Sequence, residues 1–95
     1  MVYIQFRGSV SREKINQLRQ QFINNGYKAP GVERIDGNFK NWVRYFHPED
    51  KELAESVAAL AKKFFDNKIE FRLQDLSGRG HNAQVGQVEL WVSYD

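Results

Sequence analysis

Hydrophobic and polar positions alternate from the start of the chain, with Val2, Ile4 and Phe6 set against Tyr3, Gln5 and Arg7. A two-residue period sends successive side chains to opposite sides of a strand, so residues 2 to 7 predict a strand covered on its Val2 side. After Gly8-Ser9 the period changes. Ser11 is placed to cap a helix, Glu13 lies in its first turn, and Ile15, Leu18 and Phe22 share one face up to a stop at Asn25-Gly26. That is an amphipathic helix of about fifteen residues. Gly31 to Asp36 reads as a short strand of weak alternation, which suits a sheet edge, and Asp36-Gly37-Asn38 turns the chain into a strand over Asn41 to Phe46. There Val43 and Tyr45 are expected inward and Trp42 and Arg44 outward, although Phe46 shares the parity of Trp42. Pro48, Glu49 and Asp50 open a second helix, whose stripe is Leu53, Val57, Leu60, Ala61 and Phe64. Ile69, Phe71 and Leu73 then alternate with Glu70, Arg72 and Gln74, a polar loop follows over residues 77 to 86, and Val88, Leu90 and Val92 alternate with Glu89, Trp91 and Ser93 in a fifth strand.

The order strand, helix, strand, strand, helix, strand, strand predicts an α+β fold of the split βαβ, ferredoxin-like kind: two helices on one face of a mainly antiparallel sheet, the other face open. Its halves follow the same element order without repeating in sequence. In the usual arrangement of that fold the first and third strands are central neighbours, which would set Tyr3, Gln5 and Arg7 beside Trp42 and Arg44. The open face would also carry Glu70, Arg72, Glu89 and Trp91.

Length and composition narrow the class. Residues 1–95 make one domain, since 95 residues do not hold two cores. The sequence has no cysteine, which excludes a disulfide scaffold, a thiolate metal site and a cysteine nucleophile. No apolar run approaches a membrane span, and Met1 to Arg7 lack the basic-then-apolar order of a signal peptide. Fourteen basic residues against 12 acidic ones leave a net charge of +2, a weak basis for holding a nucleic-acid backbone.

The candidate chemistry lies on the open face. Flat rings such as Tyr3, Trp42 and Trp91 stack on sugars or bases, and the forks of Arg7, Arg44 and Arg72 suit carboxylate or phosphate, with Gln5 between them as a polar contact. The same residues suit a partner-protein surface, or plain cover for a bare sheet. Other candidates point away from catalysis. His47 and His81 lack a third ligand for a metal. Gly78-Arg79-Gly80 precedes no helix, as a phosphate loop must. Ser11, His81 and Asp75 lack a nucleophile turn, and Glu49, Asp50, Glu52 and Glu55 read as a solvated helix start. No enzyme activity and no cofactor are expected.

Two family resemblances rest on short strings. Val2-Tyr3-Ile4-Gln5-Phe6 with Gly8-Ser9, the helix through Leu18 and Phe22 to Asn25-Gly26-Tyr27, and Asn41-Trp42-Val43-Arg44 before an Ala/Leu-rich helix resemble a SPOR domain. This is the bacterial cell-division module that binds peptidoglycan glycan lacking stem peptides. Val43-Arg44-Tyr45, a proline and acidic residue before Leu53-Ala54-Glu55-Ser56-Val57-Ala58-Ala59-Leu60, and the closing Val88-Glu89-Leu90-Trp91-Val92-Ser93-Tyr94-Asp95 are similar to the C-terminal domain of LytR-CpsA-Psr cell-envelope proteins. The loop from Ser77 to Gly86 and the fifth strand are extra relative to a SPOR domain.

The resemblances imply a non-catalytic accessory module of a larger bacterial protein in the cell envelope, reading glycan or a protein partner with its open face. A docking or sensing module of a cytoplasmic signalling protein is the alternative, and self-association stays open. An RNA-recognition fold shares the element order and would stack bases on Tyr3 and Trp42. Phe39 to Tyr45 lack that family's glycine-aromatic signature, which argues against nucleic acid as the partner.

Overall fold

The computed structural model describes residues 1–80 and 82–94. Its elements are β1 (Val2–Gly8), α1 (Arg12–Asn24), β2 (Val32–Arg34), β3 (Trp42–Tyr45), a 3-10 turn at Pro48–Asp50, α2 (Lys51–Phe64), β4 (Arg72–Asp75) and β5 (Val88–Tyr94). The helix starts follow the local chemistry. Ser11 Oγ accepts a hydrogen bond from the Lys14 N–H at 3.0 Å, and Gly26 leaves α1 with φ of 88°. In α2, Glu52 lies in the first turn and Lys62 and Lys63 in the last, each complementing the helix dipole.

The five strands form one sheet in the order β2-β1-β5-β3-β4. α1 joins β1 to its parallel neighbour β2, and α2 joins β3 to its parallel neighbour β4. These two βαβ units run in opposite directions, and β5 lies between them, parallel to β1 and antiparallel to β3. The α+β class and the five strands with two helices agree with the sequence pattern. Two expectations are corrected. Three of the four pairings are parallel, so the sheet is mixed and not mainly antiparallel. β1 and β3 are not neighbours either, because each helix returns the chain to an adjacent parallel strand and the central place is left to β5. The segments 31–36 and 41–46 likewise do not pair as a hairpin.

The core lies between sheet and helices. Val2, Ile4 and Phe6, Val43, and Val88, Leu90 and Val92 are buried on the same side of the sheet against Ile15, Leu18 and Phe22 of α1 and Ala54, Val57 and Ala61 of α2. Each large side chain so buried contributes about 1.5 to 3 kcal/mol, offset by the entropy of ordering the chain. β4 begins at Arg72, later than the alternation predicts, although Ile69 and Phe71 are still buried in the core.

Two connections tie the sheet across its ends. The chain from β2 to β3 passes β1 and β5, a lateral step of about 15 Å at ordinary strand spacing. On the way Asn41 Oδ1 accepts from the Ser93 N–H at 2.6 Å. The loop from β4 back to β5 passes the end of β3. It is fixed by His47 Nε2 donating to the Ala83 carbonyl at 2.6 Å and by the Gly86 N–H donating to buried Asp50 Oδ2 at 2.8 Å.

Candidate functional site

The side of the sheet away from the helices carries the residues of opposite parity. Register sets them in rows across the strands. One row runs Glu33, Gln5, Trp91, Trp42, Arg72, and the next runs Tyr3, Glu89, Arg44, Gln74. The structure thus unites Trp42, Arg44 and Trp91 directly, with Gln5 beside Trp91 and Tyr3 beside Glu89. It does not set Tyr3, Gln5 and Arg7 against Trp42 and Arg44. β5 stands between, so β1 and β3 are about 10 Å apart at two strand spacings.

At the centre of the face is a stacked arginine. The Arg44 guanidinium carbon lies 4.5 Å from the Trp42 ring centroid and 4.7 Å from that of Trp91, while Nε donates to Gln74 Oε1 at 2.7 Å. Two cation–π contacts and a side-chain hydrogen bond hold this group, at about 0.5 to 2 kcal/mol for each ring. The indoles meet at 64° with centroids 6.5 Å apart, and Phe39 packs edge-on against Trp91 at 4.9 Å. Trp91 Nε1 donates to Glu89 Oε1 at 3.1 Å. All of Trp42, Arg44, Glu89 and Trp91 are half-buried, although among the described residues no helix covers this side.

The flanks differ in character. Arg7 Nη1 donates to Ser93 Oγ at 2.8 Å, and Arg72 is exposed at the β4 edge. Glu70 precedes β4 and pairs with Lys62 of α2 at 2.6 Å, so it belongs to the helix flank and not to the open face. Gln5 lies with Tyr3, Gly31 and Glu33 in an open concavity of about 280 Å³. Its Oε1 is buried without a hydrogen-bond partner among the described residues. Larger concavities, about 480 Å³ between α1 and α2 and about 340 Å³ at the start of α1, contain none of the predicted site residues.

The remaining polar candidates have local partners. Ser11 caps α1. Asp75 Oδ1 accepts from Ser77 N–H at 2.9 Å and from Ser77 Oγ at 2.5 Å, which holds its carboxyl below the usual range. Tyr45, opposite Asp75 in register, has its hydroxyl pushed up from 10.0, first by burial and then by the Asp75 charge. His81 lies outside the described residues. Sequence reasoning missed Phe39 and Gln74. Phe39 sits in a connection with no period, and only the register of β3 and β4 shows that Gln74 meets Arg44.

Among the described residues no helix is long and apolar enough to cross a membrane. Compared with protein-family models, curated proteins and solved structures, the chain has no significant match.

Proposed function

We propose that the chain is a non-catalytic binding module of a larger bacterial protein, which recognises peptidoglycan glycan, or a cell-envelope partner bearing it, through its open sheet face. The supporting observation is the Trp42–Arg44–Trp91 cluster with Phe39 against it, an aromatic and cationic surface on the side of the sheet away from α1 and α2. Rings in this setting offer apolar area to sugar faces, and the arginine supplies directional hydrogen bonds. The SPOR-like and LytR-C-terminal-like strings support the same role. RNA is disfavoured because Glu33 and Glu89 lie in the same rows as the aromatics.

Co-sedimentation with intact and with amidase-treated peptidoglycan tests the proposal. The treated material should be bound, and Trp42→Ala should lower affinity by about tenfold or more, as expected for a buried aromatic contact of about 1.4 kcal/mol or above. Absence of binding to either material at low and high salt overturns the glycan role. A docking function for the aromatics would then take its place.

A further inference from the structure

The outward residues of the sheet form a pattern that complements itself. In the row Glu33, Gln5, Trp91, Trp42, Arg72 an acid stands at the β2 edge, a base at the β4 edge, and Trp91 of the central strand in the middle. Glu33 and Arg72 are both exposed and lie about 19 Å apart at four strand spacings, so they do not meet within one chain. Among the described residues neither has an ion-pair partner.

Sheets that pack face to face keep their strands nearly aligned, about 10 Å apart. A two-fold axis between two such faces, running along β5, lays each row over the same row of a second copy in reverse order. Arg72 of each copy then faces Glu33 of the other, Trp91 meets Trp91, and Trp42 lies over Gln5. In the neighbouring row, Tyr3, Glu89, Arg44, Gln74, the Arg44 guanidinium comes over the Tyr3 ring of the other copy, a further cation–π contact. The two Glu89 carboxylates meet at the axis, where each has one Arg44 beside it from its own sheet and another from the facing sheet. Arg7 lies one row further on and is bonded to Ser93 of its own chain. The other face-to-face symmetry, with the axis across the strands, sets Glu33 over Glu33 and Arg72 over Arg72, and these like charges repel.

We propose that the open face binds a second copy of this chain, giving a symmetric dimer whose two sheets pack face to face about an axis along β5. The face measures about 24 Å across the strands and about 20 Å along β1 and β5, so two copies bury on the order of 1,000 Å². That is the lower limit for a specific interface, so dimerisation is weak, with a dissociation constant of about 10 to 100 μM. The dimer covers Trp42, Arg44 and Trp91, so any other ligand of the face competes with the second copy, and the dimer does not depend on what that ligand is.

Sedimentation equilibrium of the whole chain from about 1 to 500 μM, a range that brackets the expected constant, tests the proposal. The average mass should rise from one chain toward two. Arg72→Glu should weaken dimerisation by about tenfold or more, and so should Glu33→Arg, because each turns two attractive contacts into repulsive ones. Both substitutions in one chain should restore the dimer. Mixing the two single variants should give a heterodimer tighter than the homodimer of either, since the acids of one then face the bases of the other. Both positions are exposed, so the fold should survive, which matching circular dichroism spectra check. A chain that stays monomeric across the range overturns the proposal. A dimer that is indifferent to the single reversals, or a mixture that gains no heterodimer, overturns it as well. None of these outcomes bears on the glycan reading, which co-sedimentation with treated peptidoglycan tests separately.

Discussion

Gln5 shows at the scale of one residue how a buried polar group is set against stability. Its Oε1 is buried without a partner among the described residues, a defect that an apolar side chain of similar shape would remove. Gln5→Met should raise stability by up to about 1 kcal/mol, or roughly 4 to 8 °C in melting temperature for a domain of this size. Thermal melts check this, and a melting temperature that falls would mean that the amide is satisfied in solution. Asp75 and Tyr45 give the pH dependence. The Asp75 carboxyl is lowered by its bonds to Ser77, so its contribution is present above the ordinary carboxylate range and is lost as pH falls through its folded value. The Tyr45 hydroxyl is raised by burial and by Asp75, so its contribution is present below 10.0 and is lost as pH rises through its folded value. Asp75→Asn should therefore melt below the unmodified protein near neutrality and converge with it in acid, whereas Tyr45→Phe should converge with it only in strong alkali.

Among the elements, β5 and β2 carry unequal weight although the sequence predicts a strand at each. Val88, Leu90 and Val92 are fully buried at the middle of the sheet, while β2 is an edge strand of three residues with only Val32 half-buried. Leu90→Ala should cost about 2 to 5 kcal/mol through the cavity it leaves, and Val32→Ala well under that, as urea midpoints would show. The patterns that place these strands were legible because one side of each is covered: Ile4 and Phe6, Val43 and Tyr45, Leu90 and Val92 all face the helices as their parity predicts. Strand order was not legible. Alternation says which way a side chain points and nothing of which strand lies alongside, so the pairing of Trp42 with Trp91 depends on long-range register. Hence Trp42, Arg44 and Trp91 could be named as outward-facing, but their stack could not. The same limit hid Phe39, which reaches Trp91 from an aperiodic connection, and Gln74, whose bond to Arg44 requires β3 and β4 to be parallel.

For the molecule as a whole, the central position of β5 couples folding to the site. Val2 pairs with Val88 and Gly8 with Tyr94, so the middle of the sheet joins residues from opposite ends of the sequence. Each βαβ unit leaves one long apolar strand side unpaired until β5 enters, which makes the closing contacts non-local and places folding in the slower range of about milliseconds to seconds. A chain ending at Gly86 should therefore lack cooperative unfolding by circular dichroism, even though it keeps both helices and four of the five strands. A sharp melt from that fragment would show that the two units pair without β5. The consequence reaches the open face, because Trp91 comes from β5 and Arg44 is clamped only when β5 lies beside β3. A ligand seated on the stack binds the closed sheet and not the open one, so at a hundred times its dissociation constant it should stabilise the chain by about 2.7 kcal/mol. It should do so by slowing unfolding if the β3–β5 pairing is still unformed at the folding transition state, and by speeding folding if that pairing forms early. Unfolding rates with and without treated glycan distinguish these routes, and an Arg44→Lys variant that binds tenfold more weakly should keep about half of the change, about 1.4 kcal/mol at the same ligand concentration.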